Sequence, residues 1–153
     1  MEERYPLEAA RALRAAEEDA RVGELADAMR TLEVAGAAVK DAEHAARTHQ
    51  EHTDRVRDDE SARDGRGRPA SETVRAQDWL ARRRSEARRL EVSIGAARDV
   101  ERSAEAAVEH ARVRLATARA EREAIEKHFT KWSQARARAV ERREDDEADE
   151  RRR

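Results

Sequence analysis

Residues 80–132 read LARRRSEARRLEVSIGAARDVERSAEAAVEHARVRLATARAEREAIEKHFTKW, and the spacing of the apolar residues in this stretch decides the fold. Small or apolar residues recur at alternating steps of three and four, and the series continues past this stretch to Ala139, with four charged interruptions in all. A 3.5-residue average period sustained over this length is typical of a coiled-coil helix. We call this series the seam; it comprises Leu80, Arg83, Ala87, Leu90, Ile94, Ala97, Glu101, Ala104, Val108, Ala111, Leu115, Ala118, Arg122, Ile125, Phe129, Trp132, Arg136 and Ala139.

The composition favours long helices over a globular core. Of the 153 residues, 38% are hydrophobic, only 3% are aromatic and 44% are charged, so large apolar side chains are too scarce for a thick core. With only 2 prolines and 5 glycines, and with alanine, arginine and glutamate abundant, the chain is predicted to be helical rather than disordered. The net charge of -2 gives no overall attraction to nucleic acid or to an anionic membrane.

The chain shows no sign of export or of membrane insertion. It has no cysteine, its first residues are charged rather than apolar, and no apolar run approaches the roughly 20 residues that a membrane span needs. We therefore expect a soluble, cytoplasmic protein without direct membrane insertion.

Glycine and proline divide the chain into two helices within a single coiled-coil domain, residues 1–153. The predicted elements are a helix over 6–58, a loop over 59–70 that holds Gly65, Gly67 and Pro69, and a helix over 71–148 with Ser71 as its N-cap. Two long helices joined by a short loop must be antiparallel neighbours. The predicted fold is all-α: a long antiparallel two-helix coiled-coil hairpin.

The first helix carries its own apolar series, which sets a predicted register. With the loop centred near residue 65, Gly36 should face Ile94, and Leu25 should face Ala104 and Val108. The predicted series is Leu25, Met29, Leu32, Gly36, Val39, Glu43 and Ala46, with a weaker start at Leu7, Ala10 and Leu13. A bend at Gly95 and a slip of the register by several residues are both compatible with this pattern.

The same register predicts that the second helix outlasts the first. Phe129 and Trp132 would lie level with or beyond Met1, and residues 126–153 would project as a single unpaired helix. Exposed aromatic residues on a projecting helix form a candidate partner site.

Three other patterns have simpler explanations. His44, His49 and His52 lie close in sequence, but no second set of ligands accompanies them, and solvated histidines are favoured over a metal site. The basic residues between Lys127 and Arg143 precede the acidic run Glu144–Glu147, which favours a solvated helix end over nucleic-acid binding. There is no phosphate loop and no nucleophile motif, so we expect neither an enzyme nor a cofactor.

The loop end of the hairpin offers a second candidate site. Trp79 and Leu80 stand beside Arg82, Arg83 and Arg84. Leu80 begins the seam, and Trp79 either covers the loop or anchors a second partner; both readings remain open.

The segment Glu121-Arg-Glu-Ala-Ile125-Glu-Lys127-His128-Phe129-Thr-Lys131-Trp132, followed by arginine and glutamate repeats that end at Asp149-Glu150, resembles the C-terminal region of the YscO/SctO family. These are the central stalk proteins of type III secretion systems and are similar to flagellar FliJ. The local match covers about thirty residues; the remainder matches in architecture. The C-terminal Arg151-Arg152-Arg153 and the high alanine content depart from the family pattern.

The resemblance implies a non-enzymatic stalk at the cytoplasmic base of the secretion apparatus. Its open end would enter the hexameric export ATPase and its tip would reach the export-gate membrane protein; some members also bind secretion chaperones. The implied gate contacts are Trp79 and Leu80. The residues that would contact the ATPase lie in the C-terminal part of the second helix and include the aromatic pair. They are Glu126, Lys127, His128, Phe129, Lys131, Trp132, Arg136, Arg138, Arg142 and Arg143. A monomer is expected; the alternative is a self-associating structural coiled-coil scaffold.

Overall fold

Two long helices account for nearly all of the described chain. The computed structural model describes residues 4–63, 67 and 69–152. Helix α1 spans Glu8–Arg63 and helix α2 spans Ala70–Arg152, and no strand occurs in these ranges. The two helices pack against each other, so the predicted all-α class is confirmed.

The helix boundaries differ from the predicted ones for local reasons. Helix α1 continues to Arg63 because residues 59–63 contain neither glycine nor proline, and the predicted loop was placed on their polarity alone. Ser71 is not the N-cap: α2 begins at Ala70, and the Pro69 carbonyl accepts hydrogen bonds from the backbone N–H groups of Glu72 and Thr73 at 3.0 and 3.3 Å. Gly67 has a φ of 73°, which favours glycine.

The chain divides into two compact units, and both helices contribute to each. Unit 1 comprises Met1–Asp27 and Glu109–Arg153; unit 2 comprises Ala28–Val108. Gly95 lies inside α2, so the helix does not end there.

Unit 1 is held together by alanine and leucine on α2 and by ion pairs to α1. Ala111, Leu115 and Ala118 are buried, and Ala111 is only 1% exposed. Beside them, Glu18 of α1 pairs with Arg119 and Arg122 at 3.3 and 2.9 Å. Additional pairs between the helices join Arg11 to Glu126, Arg14 to Glu121, and Glu24 to Arg114. Partners that lie later in α1 lie earlier in α2.

Unit 2 has a small apolar centre, and the side chain of Glu101 lies close to Gly36. Its buried residues are Ala35, Val39, Ala104, Val108 and Thr53. Glu101 comes so close to Gly36 that a Cβ placed there would lie 3.3 Å from Glu101 Oε1. Small side chains at these positions let the two backbones approach each other.

The seam of α2 is confirmed, because every one of its residues is buried or partly buried. The predicted series on α1 is partly wrong. Met29 and Leu13 are 52% and 57% exposed, whereas their neighbours Ala28 and Arg14 are partly buried. The observed series on α1 steps by three and four through Arg11, Arg14, Glu18, Arg21, Leu25, Ala28, Leu32, Ala35, Val39, Ala42, Ala46, His49, Thr53, Val56 and Glu60.

The register within unit 2 differs from the predicted one by a heptad. Gly36 lies against Glu101 and not against Ile94, seven residues earlier. A shift of one heptad returns every seam residue to the same face, so the periodicity alone could not distinguish the two registers.

Candidate functional site

An aromatic cluster in unit 1 joins the start of the chain to α2. Tyr5 precedes α1, yet it is buried, with only 6% of its surface exposed. Its ring centroid lies 5.1 Å from that of Phe129, 5.2 Å from that of Trp132 and 5.7 Å from that of His128. The edge-to-face arrangement with Phe129 and the tilted contact with Trp132 are favourable geometries for aromatic pairs.

A hydrogen bond fixes the polar end of Tyr5. Its hydroxyl lies 2.6 Å from Nδ1 of His128. In the neutral tautomer with the proton on Nε2, the hydroxyl donates to Nδ1. The aromatic cluster, defined as Tyr5, His128, Phe129 and Trp132, therefore has an apolar centre and one polar contact at its rim.

Two arginines extend the aromatic cluster on either side. The guanidinium of Arg11 lies 4.1 Å from the centroid of Phe129, and that of Arg136 lies 5.5 Å from the centroid of Trp132. Both are within the range of cation–π attraction. Arg11 also donates from Nε to Oε1 of Glu126 at 2.7 Å. This hydrogen bond lowers the pKa of the Glu126 carboxyl below its ordinary value and raises the pKa of Arg11.

These contacts overturn the prediction that the unpaired segment starts at residue 126. Glu126 pairs with Arg11, and Phe129 and Trp132 pack on Tyr5. The prediction failed because its register was short by one heptad: Glu126 lies beside Arg11 of α1, and Tyr5, just before α1, covers Phe129 and Trp132. Tyr5 and Arg11 were missed, although the only tyrosine of the chain stands in the segment that leads into α1.

The basic residues of the predicted site lie outside the aromatic cluster. Lys127 pairs with Glu123 at 2.6 Å, and this hydrogen bond lowers the pKa of the Glu123 carboxyl. Lys131, Arg138, Arg142 and Arg143 are exposed, as is every residue over 140–152. The structure therefore divides the predicted ATPase contacts into a partly covered aromatic group and an exposed basic helix end.

At the other predicted site, in unit 2, Trp79 and Leu80 have different surroundings. Trp79 is partly buried under the guanidinium of Arg83, 5.3 Å from its ring centroid. Leu80 lines a shallow depression together with Thr53 and Ala87. Both side chains are partly buried, and Leu80 lies beside residues of α1.

His49 ties α1 to α2 in the same region. Its Nε2 lies 3.2 Å from Oε2 of Glu86, and its backbone oxygen accepts a 2.8 Å hydrogen bond from the hydroxyl of Thr53. The contact with His49, and then that with Arg83, lowers the pKa of the Glu86 carboxyl. His44 and His52 are exposed, and within the described ranges no three potential metal ligands come together.

Neither of the helices, as far as they are described, contains a stretch that is long and apolar enough to cross a membrane. No protein-family model, no curated protein and no solved structure matches this chain.

Proposed function

We propose that the chain is a non-enzymatic central stalk or adaptor of a type III secretion export apparatus. In this proposal it forms an antiparallel coiled-coil hairpin with a projecting C-terminal helix end. The observation that carries the proposal is the coincidence of two features in one segment. Residues 121–150 resemble the stalk family, and their last part is an exposed helix that presents Arg142 and Arg143.

The chemistry of this helix end suits a protein partner. Arg142 donates from Nε to the backbone oxygen of Arg138, and Arg143 is exposed beside it. Arginine forms two parallel hydrogen bonds with a carboxylate, so the pair would bind carboxylates on the proposed export ATPase. Glu144–Glu147 follows directly, and it would repel the phosphates of a nucleic acid.

The second candidate contact is Trp79, which the proposal assigns to the export-gate membrane protein. A partly exposed tryptophan beside an arginine is the type of residue that dominates binding at protein interfaces. Secretion chaperones would be further partners. The protein would act as a monomer in the cytoplasm, at the base of the apparatus.

The alternative function is a self-associating coiled-coil scaffold, and exposed valines on α2 favour it. Val92 and Val113 are 73% and 58% exposed and lie away from the seam. Sedimentation separates the two proposals, since a scaffold forms stable dimers or filaments, whereas a stalk has the mass of one chain.

The decisive experiment compares two charge reversals on the same helix. Arg142→Glu with Arg143→Glu alters the proposed contact; Arg88→Glu with Arg89→Glu makes the same change at another exposed arginine pair. The purified chain should promote hexamer assembly and turnover of its cognate export ATPase. The first double variant should lose this effect at least about tenfold, as expected when charged interface contacts are reversed, and the second should retain it.

Two results would reject the stalk. One is an ATPase whose assembly and turnover do not respond to the wild-type chain. The other is an equal loss in both double variants, which would mean a nonspecific effect of charge.

A further inference from the structure

We propose that Tyr5 is a displaceable occupant of an aromatic binding slot on α2, and that a partner protein binds by placing a tyrosine side chain of its own there. We define the slot by the rings of His128, Phe129 and Trp132. The inference rests on the proposed function in one respect, because the partner it names is the export ATPase.

The slot is built by α2 alone. His128, Phe129 and Trp132 occupy little more than one turn of a helix that continues far beyond them in both directions. Since the backbone hydrogen bonds of that helix are internal, the helix segment that carries the three rings does not depend on Tyr5 for its backbone structure. The slot is therefore a property of α2, and Tyr5 is what fills it.

Tyr5 can leave without unfolding a helix. It precedes α1, which begins at Glu8, and its carbonyl accepts a 3.2 Å hydrogen bond from the Glu8 N–H. Its neighbours Arg4, Pro6 and Leu7 are exposed, so within residues 4–7 only the Tyr5 side chain is buried. Release of one side chain from a non-helical segment is the kind of local opening that folded proteins undergo without global unfolding.

The chemistry of the slot specifies its ligand. Phe129 and Trp132 offer apolar ring surface at 5.1 and 5.2 Å, and His128 offers Nδ1 to a hydroxyl at 2.6 Å. An aromatic ring with a hydroxyl at its far end satisfies both, as tyrosine does. A phenylalanine would leave Nδ1 without this partner, and an aliphatic residue would lose the ring contacts.

The arrangement makes Tyr5 a competitor of the partner. When a site is open only part of the time, the apparent affinity for a ligand falls by the open fraction. Minor states in proteins are commonly populated at about 0.1–10%. Removal of the Tyr5 ring should therefore tighten binding of the partner about tenfold or more.

The first measurement needs no ATPase. In a Trp79→Phe background Trp132 is the sole tryptophan, since the chain has two. We expect Tyr5→Ala to raise acrylamide quenching of Trp132 while the helical circular dichroism is retained, and Tyr5→Phe to stay near the wild-type value. Adding the acetylated peptide of residues 4–9 to Tyr5→Ala should lower the quenching again, and the same peptide with alanine for tyrosine should not.

The second measurement compares ATPase binding by wild type, Tyr5→Ala and Tyr5→Phe, with Trp79 intact. We expect Tyr5→Ala to bind most tightly. Weaker binding by Tyr5→Ala would mean that Tyr5 supports the surface instead of covering it, and would overturn the proposal. Unchanged quenching, or no response to the tyrosine peptide, would also overturn it. If no variant binds the ATPase, the proposed function fails, while the peptide titration still decides whether the slot exists.

Discussion

Glu18 shows how this chain places a charged residue on a helix face that packs against the other helix. It lies on the series of α1 that faces α2, and its side chain is only 16% exposed. The hydrogen bond from Arg122, assisted by Arg119, lowers the pKa of the Glu18 carboxyl below its ordinary value of 4.5. A charged residue in a seam is tolerated because its partners stand directly opposite.

These carboxyls give the fold a defined dependence on pH. Glu18, Glu86 and Glu126 each have a pKa that is lower in the folded chain than in the unfolded chain. Their stabilisation is complete above the ordinary carboxyl pKa of 4.5 and is lost as the pH falls through the lowered values. We expect a melting temperature that is level between about pH 7 and pH 5 and falls below about pH 4.5.

The variant Glu18→Gln tests how much one carboxyl contributes to the stability of the fold. It should lower the melting temperature at pH 7 by about 1–2 °C, because pairs at the surface contribute little, and by less at pH 3. Glu105→Gln, at an exposed position outside the seam, is the matched control. A loss from Glu18→Gln that is equal at both pH values would contradict the assignment.

At the scale of single residues, the burial of Tyr5 could not be predicted from the sequence. Pro6 predicts a helix start, and nothing in the local pattern shows that the residue before it is buried. Its partners lie more than a hundred positions away, and only the register of the two helices brings them together. The exposure of Arg138 and Arg142 was predictable because both lie off the seam, whereas Arg143 continues the spacing of the seam after Ala139 and is nonetheless exposed.

At the scale of the helices, periodicity was a better guide than side-chain size. The seam of α2 could be read correctly because its spacing is regular even where arginine or glutamate interrupts it. On α1, preference for large apolar residues selected Met29 and Leu13, which are exposed, over Ala28 and Arg14. Alanine permits close approach of the backbones, so the positions that pack best are not the most hydrophobic ones.

The alanine seam predicts a strong penalty for larger side chains. Ala111 is 1% exposed, so Ala111→Leu must displace its neighbours and should destabilise the protein by about 1–3 kcal/mol in urea unfolding. The matched control is Ala107→Leu, one turn earlier on α2 and exposed, which should change stability by less than about 0.5 kcal/mol. Equal effects of the two variants would mean that Ala111 does not face α1.

Two glycines of α1 test the contact between Gly36 and Glu101. A Cβ at Gly23 would have nothing within 4 Å, so Gly23→Ala should stabilise by about 1 kcal/mol through helix propensity. At Gly36 the Cβ would lie 3.3 Å from Glu101 Oε1, and the carboxylate must move aside. Gly36→Ala should therefore raise the free energy of unfolding, measured in urea, by less than Gly23→Ala does. Combining Gly36→Ala with Glu101→Ala should restore part of this difference. Equal gains for the two single variants would contradict the observed register.

At the scale of the whole molecule, composition and period predicted the helical class, and turn residues located the break between the helices. The register remained open because a shift of one heptad leaves the seam intact. It is set by particular contacts, such as that of Glu101 with Gly36 and those of Tyr5 with the rings of α2. The length of the exposed helix end depends on these contacts, so its start near residue 140 could not be predicted.

The exposed end of α2 provides the last prediction, which separates folding from function. Every described residue after Ala139 is exposed, so a chain that ends at Val140 loses no buried side chain. Its melting temperature should stay within about 1 °C of the wild-type value, as for surface changes in general. Stimulation of the export ATPase should be lost, because Arg142 and Arg143 are removed. A shortened chain that melts several degrees lower would show that the segment contributes to the fold. One that melts normally and still stimulates the ATPase would place the contact on the aromatic cluster or elsewhere, and not on the helix end.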